Sequence, residues 1–214
     1  NAARVDWDTV CPQGGSEVYV IGNPPYLGSK NQDESQKEDM RVCFDGISQT
    51  KSLDYICCWY IKAAKYINDR SQFAFVSTNS ICQGTQVPLL WPILLGMGME
   101  ISFAYKKFVW SNNAKNKAGV TCSIVGVRSV CDAPKYLFHD DHRREVKNIS
   151  PYLIESKNTL VVKNSMPISG LSRMQVGNEP YDGGFLIFTP GEKDNFVSQD
   201  IRTLPFFKKL VGSS

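Results

Sequence analysis

Asn23, Pro24, Pro25 and Tyr26 follow directly on an apolar run in the stretch "YVIGNPPYLGSKN", residues 19–31. Each proline lacks an amide hydrogen and fixes its own φ, so two in succession cannot continue a helix or a central strand. The strand therefore stops, and a rigid loop follows with Asn23 at its base and Tyr26 at its tip. The Pro24 carbonyl projects from a stiff backbone, and the neutral Asn23 side chain offers a second acceptor oxygen beside it. Two adjacent acceptors suit an exocyclic amino group, which has two hydrogens to give. Holding both draws the nitrogen lone pair out of conjugation and aims it at an electrophile. That is catalysis by positioning and electrostatics, with no strong base. Tyr26 adds an aromatic face on which a flipped base can stack. Open α/β sheets bind their ligands at such strand ends.

The surrounding elements must place that loop. "EVYVIG" (17–22) reads as a buried, parallel-type strand. The mixed-charge "KNQDESQKEDMR" (30–41) reads as an exposed flap or short surface helix. "SLDYICCWYIKAAKYI" (52–67) carries Ile56, Tyr60, Ala63, Ala64 and Ile67 at helical spacing, with Ser52 as the expected cap and Asp54 in the first turn. "QFAFVSTNSI" (72–81) is a second strand, and "TQVPLLWPILL" (85–95) a helix that Pro92 is expected to kink or reset and Gly96 to stop. "EISFAYKKFVW" (100–110) and "VTCSIVGVRS" (120–129) predict an antiparallel hairpin. The sum is half of a doubly wound α/β sheet: two parallel strands with helices and a terminal antiparallel pair. The glycines of "LLGMGME" (94–100) come after a helix and before a strand, the reverse of a nucleotide-binding loop, and read as a turn.

The 214 residues are 42% hydrophobic with a formal charge of +3, enough for one ordinary core and compatible with a nucleic-acid partner without a histone-like excess. Seven cysteines without CxxC spacing and only two histidines argue against zinc, and read as reduced thiols of a cytoplasmic protein, mostly filling the core. His139 and His142, among Asp140, Asp141, Arg143 and Arg144, read as a solvated charged loop rather than metal ligands. No apolar run has transmembrane length, and the opening "NAARVDW" reads as the interior of something longer. Turn signals dominate from Cys131. Further on, Thr189 and Glu192 form a capping box around Pro190 at a first helical position.

"IGNPPY" resembles the catalytic motif of amino-methyltransferases that use S-adenosylmethionine, a motif shared by enzymes acting on adenine, cytosine, ribosomal RNA guanine and release-factor glutamine. Together with "DYICCWYIKAAKYI", "FVSTNSICQGTQVPLLWP", "ISFAYKKFVWSNNAKNKAGVTCSIVG" and "GNEPYDGGFLIF", it resembles the adenine-specific DNA methyltransferase region of bifunctional type IIL and IIG restriction-modification enzymes. The resemblance implies a Rossmann-like methyltransferase sheet that moves a methyl group from S-adenosylmethionine to adenine N6 in double-stranded DNA with the target adenine flipped out. It implies Asn23, Pro24, Pro25 and Tyr26 as the catalytic loop and Phe108, with Trp110 as competitor, as a second aromatic on the base; strand packing is the other reading of both. Lys106, Lys107, Lys115 and Lys117 flank that segment and are read either as DNA phosphate contacts or as soluble surface. No metal is implied.

On the same resemblance, residues 1–131 are the second half of the catalytic domain, 132–176 a connector, and 177–214 the start of a target-recognition domain. The family's cofactor loop would precede Val18, so the chain is expected to be inactive alone, not to bind S-adenosylmethionine tightly, and to self-associate through the exposed strand 18–22. An RNA or protein methyltransferase, or a non-catalytic DNA-binding remnant, remain as alternative readings.

Overall fold

A computed structural model of the chain describes residues 1–110, 120–140, 142–162, 164, 166, 167, 169–172 and 183–209. They form two compact units, Asn1–Lys163 and Asn164–Ser214. The first unit is a mixed sheet with helices. After a single turn, α1 (Trp7–Val10), come β1 (Tyr19–Gly22), α2 (Glu34–Cys43), α3 (Cys57–Tyr66), β2 (Gln72–Thr78), α4 (Gln86–Gly96) and β3 (Met99–Trp110). The unit continues with β4 (Val120–Ser129), β5 (Lys135–His139) and β6 (His142–Val146). The sheet order is β1-β2-β4-β3-β5-β6, with β1 parallel to β2, β3 parallel to β5, and the other neighbours antiparallel.

One face of β2 supplies the centre of the core. Phe73 and Phe75 are buried there, and Tyr60 from α3 meets both rings edge-on at 5.7 and 5.4 Å. Trp91 of α4 closes the cluster at 6.4 Å from Tyr60, and its indole N–H donates to the Ile81 carbonyl at 2.9 Å. Val125 and Val127 of β4 lie opposite Phe75 and Phe73 and extend the same face. Each such side chain taken from water stabilises the fold by about 1.5–3 kcal/mol. Toward the far side, buried Glu100 of β3 accepts from Arg128 at 3.0 Å and Lys135 at 2.9 Å, tying the start of β5 to the hairpin.

The parallel β1–β2 pair, both helices and the β3–β4 hairpin match expectation, but four details differ. β1 is not buried as its apolar run suggests but lies, as the resemblance implies, at a margin of the sheet, with Tyr19 and Ile21 60% and 79% exposed and, among the described residues, only one side paired. The charged segment after it forms α2, capped reciprocally by Asp33 and Gln36, and has an inner face of Asp39, Met40 and Cys43. Ser52 does not cap α3, which starts five residues later. The Asp54 side chain accepts from the Ile56 N–H at 3.2 Å and its carbonyl from the Cys57 N–H at 3.0 Å, delaying the first turn. Pro92 does not reset α4, which runs as one helix to Gly96, the residue expected to stop it. The chain then turns at Gly98 (φ +76°), as expected of that glycine pair.

Within the expected connector, β5 and β6 add two strands to the same sheet. β6 is a margin whose His142, Arg143, Arg144 and Glu145 are all exposed, so it lacks the apolar alternation that marks a strand. Five of the seven cysteines are buried and all are free thiols. In the second unit, α5 (Pro190–Gln199) begins at the Thr189–Glu192 capping box, and Phe188, Phe196 and Phe207 pack ring to ring. No described helix is long and apolar enough to cross a membrane.

Candidate active site

Gly22 is the last residue of β1 and pairs with Phe75, so residues 23–28 emerge beside the carboxyl end of β2. Pro24 is buried, Asn23 and Pro25 are exposed and Tyr26 is half-buried. Burial of Pro24 fixes the loop while its neighbour's amide stays open to a ligand.

Both peptide groups of Leu27 are held. Its N–H donates to Asp54 Oδ1 at 2.9 Å, and its carbonyl accepts from the Tyr55 N–H and from Gln32 Nε2, each at 3.0 Å. Gln32 Nε2 also donates to the Leu53 carbonyl at 3.0 Å. Gln86, the first residue of α4, accepts from the Asp54 N–H and donates to the Ser52 carbonyl, both at 2.9 Å. The loop after β1 is thereby bonded to the approaches of α3 and α4.

On the other side the Tyr26 hydroxyl meets the Cys122 thiol of β4. Burial pushes both groups above their ordinary pKa values, so both are neutral near pH 7. Cys122 lies between Thr78 of β2 and Phe108 of β3 in the ladder. Directly opposed residues share a face, so Tyr26 is brought to the face that carries Phe108. A bulge creates that arrangement. Tyr105 pairs with Ile124 and Phe108 with Cys122, three steps on β3 against two on β4. Without the extra residue, Tyr105 and Phe108 would point to opposite faces; with it their rings meet edge-on at 5.8 Å. Tyr105 in turn stacks on Phe138 of β5 at 6.3 Å.

Lys106 and Lys107, the bulged residues, are half-buried and exposed. Trp110 pairs with Val120 in the ladder, and its side chain lies outside the described residues, as do Lys115 and Lys117. Asp54, Gln32, Gln86 and Cys122 did not emerge from the sequence as site residues. Asp54 reads there as a helix-turn acid and Cys122 as core filler, since nothing local shows that either reaches residues about a hundred or fewer positions away at Leu27 and Tyr26. No cluster of His, Cys, Asp or Glu among the described residues is arranged to hold a metal ion.

Residues 1–139 match the DNA-methyltransferase domain of MmeI. The chain belongs to the MmeI family. Residues 155–214 match the MmeI target recognition domain. DNA methyltransferase A of Bacillus subtilis (strain 168) is 48% identical over 216 residues, which cover 100% of this chain and 25% of that protein. The solved structure of the type IIL restriction-modification enzyme MmeI in complex with DNA superposes with a TM-score of 0.87 at 37% identity. That match covers 99% of this chain and 29% of the solved one. The chain thus spans between a quarter and a third of the length of these relatives. The match bears out the resemblance of the sequence to the DNA-methyltransferase region of a restriction-modification enzyme.

S-adenosylmethionine is the methyl donor this family implies, and the glycines after α4 do not form its cradle. The Gly96–Gly98 turn leads from α4 into β3, whereas a nucleoside-binding glycine loop leads from a strand into a helix. What the described residues do place at the carboxyl end of β1 is exposed Asn23 next to buried Pro24, with half-buried Tyr26 following.

Proposed function

We propose that this chain carries the amino-group clamp of an S-adenosylmethionine-dependent DNA methyltransferase that modifies adenine N6 within a restriction-modification enzyme. The observation that carries the reading is the loop itself: exposed Asn23 beside buried Pro24 at the carboxyl end of β1, with Tyr26 reaching the sheet face of Phe108. In this reading, Asn23 Oδ1 and the Pro24 carbonyl each accept one hydrogen of the adenine amino group. The nitrogen becomes tetrahedral and its lone pair points out of the ring plane. The cofactor, when bound, supplies the electrophilic methyl group. Pro25 holds the loop rigid, Tyr26 stacks on the flipped base and Phe108 bounds it from β3, with Trp110 as the alternative. Lys106 and Lys107, the bulged residues of β3 next to Phe108, are assigned to the phosphate backbone, where contacts position without specifying sequence. Lys115 and Lys117 have the same proposed role.

The test is chemical. The gene for the intact protein is expressed, host DNA is digested to nucleosides, and N6-methyladenine and N4-methylcytosine are measured by mass spectrometry, with Asn23→Ala as control. N6-methyladenine that disappears in the variant supports the clamp. N4-methylcytosine alone would correct the base, and neither product would return the RNA, protein and non-catalytic readings to the front.

A further inference from the structure

Tyr26 sits between two constraints of different origin. Upstream, Pro24 and Pro25 fix φ at two successive residues. Downstream, the N–H and the carbonyl of Leu27 belong to the two peptide planes that flank it, and side chains hold both. Asp54 and Gln32 are each only 8% exposed, so burying them is costly unless their polar atoms are engaged. Their engagements run to backbone. Asp54 Oδ1 accepts from the Ile56 N–H two residues on, closing a local turn ahead of α3, and also from the Leu27 N–H, 27 positions away, which that turn does not need. Gln32 Nε2 bridges the carbonyls of Leu27 and Leu53.

We infer that Asp54 and Gln32 are positioning residues for the methyl-transfer loop: they set the backbone that presents Tyr26, and through it the aromatic partner of the base. The inference rests on the clamp reading of Asn23 and Pro24 and adds to it the residues that hold the clamp in register. A misplacement of a reacting group by about 1 Å can cost about 100-fold in rate, so the brace should show in the chemical step rather than in DNA affinity, to which backbone phosphate contacts contribute heavily. Both bonds to Asp54 use one oxygen, so a neutral acceptor in the same place should suffice.

The experiment uses the intact protein and reads two quantities: single-turnover methylation of substrate DNA, and hydrogen exchange at the Leu27 amide. Asp54→Ala should slow methylation by about 10- to 100-fold and raise Leu27 exchange by about tenfold or more, with DNA affinity unchanged. Asp54→Asn should restore most of both. Gln32→Met, of similar length without the donor, should slow methylation in the same way, and it decides the matter if Asp54→Ala does not fold. Unchanged Leu27 exchange in Asp54→Ala, or Asp54→Asn no better than Asp54→Ala, overturns the brace. Full activity in Asn23→Ala overturns the clamp reading instead, and the exchange measurement separates the two because it does not depend on turnover. If Asn23→Ala is dead while Asp54→Ala and Gln32→Met are fully active, the brace alone is wrong.

Discussion

The Tyr26 hydroxyl meets the Cys122 thiol, and Cys122 faces Phe108 directly across the β3–β4 ladder. One buried sulfur thus joins the loop that leaves β1 to the strand carrying the second aromatic. The contact gives the phenol oxygen a partner without giving it a charge, since burial raises the pKa of both groups. The ring can therefore be anchored at its edge while its face stays available.

The anchor and the face separate in two substitutions of the intact protein. Tyr26→Phe keeps the ring and loses the contact of the hydroxyl with Cys122, worth no more than the about 0.5–1.5 kcal/mol of a neutral hydrogen bond, so methylation should fall by roughly tenfold or less. Tyr26→Ala removes the stacking surface, about 1–3 kcal/mol per base, and should cost roughly 5- to 150-fold. Equal losses in single-turnover assays would mean that the hydroxyl, and not the ring, is what the site uses.

Asp39 makes the first unit sensitive to acid. It is 1% exposed and accepts from Asn1 at 2.8 Å, from the Tyr55 hydroxyl at 2.6 Å and from Arg4. Burial pushes its pKa up, but the hydrogen bonds from Tyr55, Arg4 and Asn1 outweigh it, and the net value lies below the ordinary 3.8. Between the folded value and 3.8 the unfolded chain binds more protons, so stability rises with pH there. The contribution is complete above that window and is lost as pH falls through it. Urea midpoints measured from about pH 2 to 7 should show this slope in the native protein and a shallower one in Asp39→Asn. Parallel curves would assign the acid sensitivity to other carboxylates.

Features that depend on neighbours in sequence were legible before the fold was known. The Thr189–Glu192 capping box needs four residues, the α3 stripe needs one helical period, and the end of β1 needs two prolines. Features set by distant pairing were not. Met40 and Cys43 show too little apolar character to reveal the inner face of α2, and the partners that make Asp39 affordable there come from Asn1, Arg4 and Tyr55. β6 is polar at four of five positions and is a strand only because β5 lies beside it. At the site, Asn23 to Tyr26 could be read directly, whereas Asp54 and Cys122 acquire their roles from a hydrogen bond and a register that no local pattern encodes.

Gly126 is the place where the hairpin tolerates no side chain. It pairs with Phe103, and a Cβ added to it would overlap the Phe103 ring. That ring also meets Phe138 edge-on at 6.3 Å, so displacing it disturbs the packing of β5. Gly126→Ala should destabilise by about 1–3 kcal/mol, the usual cost of overpacking. Adding Phe103→Leu should recover part of that loss, giving a non-additive double-mutant cycle. Additive effects in urea denaturation would show that the ring moves aside freely.

The two margins of the sheet differ in a way that bears on association. β6 exposes His142, Arg143, Arg144 and Glu145, charges that resist pairing with another strand. β1 exposes Tyr19 and Ile21 and is paired on one side only. An unpaired row of backbone donors and acceptors bordered by apolar side chains is a template for a further strand. The 214-residue chain is therefore predicted to self-associate through β1, with an average mass in sedimentation equilibrium that rises with concentration. Ile21→Lys should return it to monomer, because a charge on the strand makes addition of a second copy costly. Arg144→Ala on the opposite margin should leave the association as it was. A monomer at every concentration would defeat the prediction, and association that persists in Ile21→Lys would move the contact away from β1.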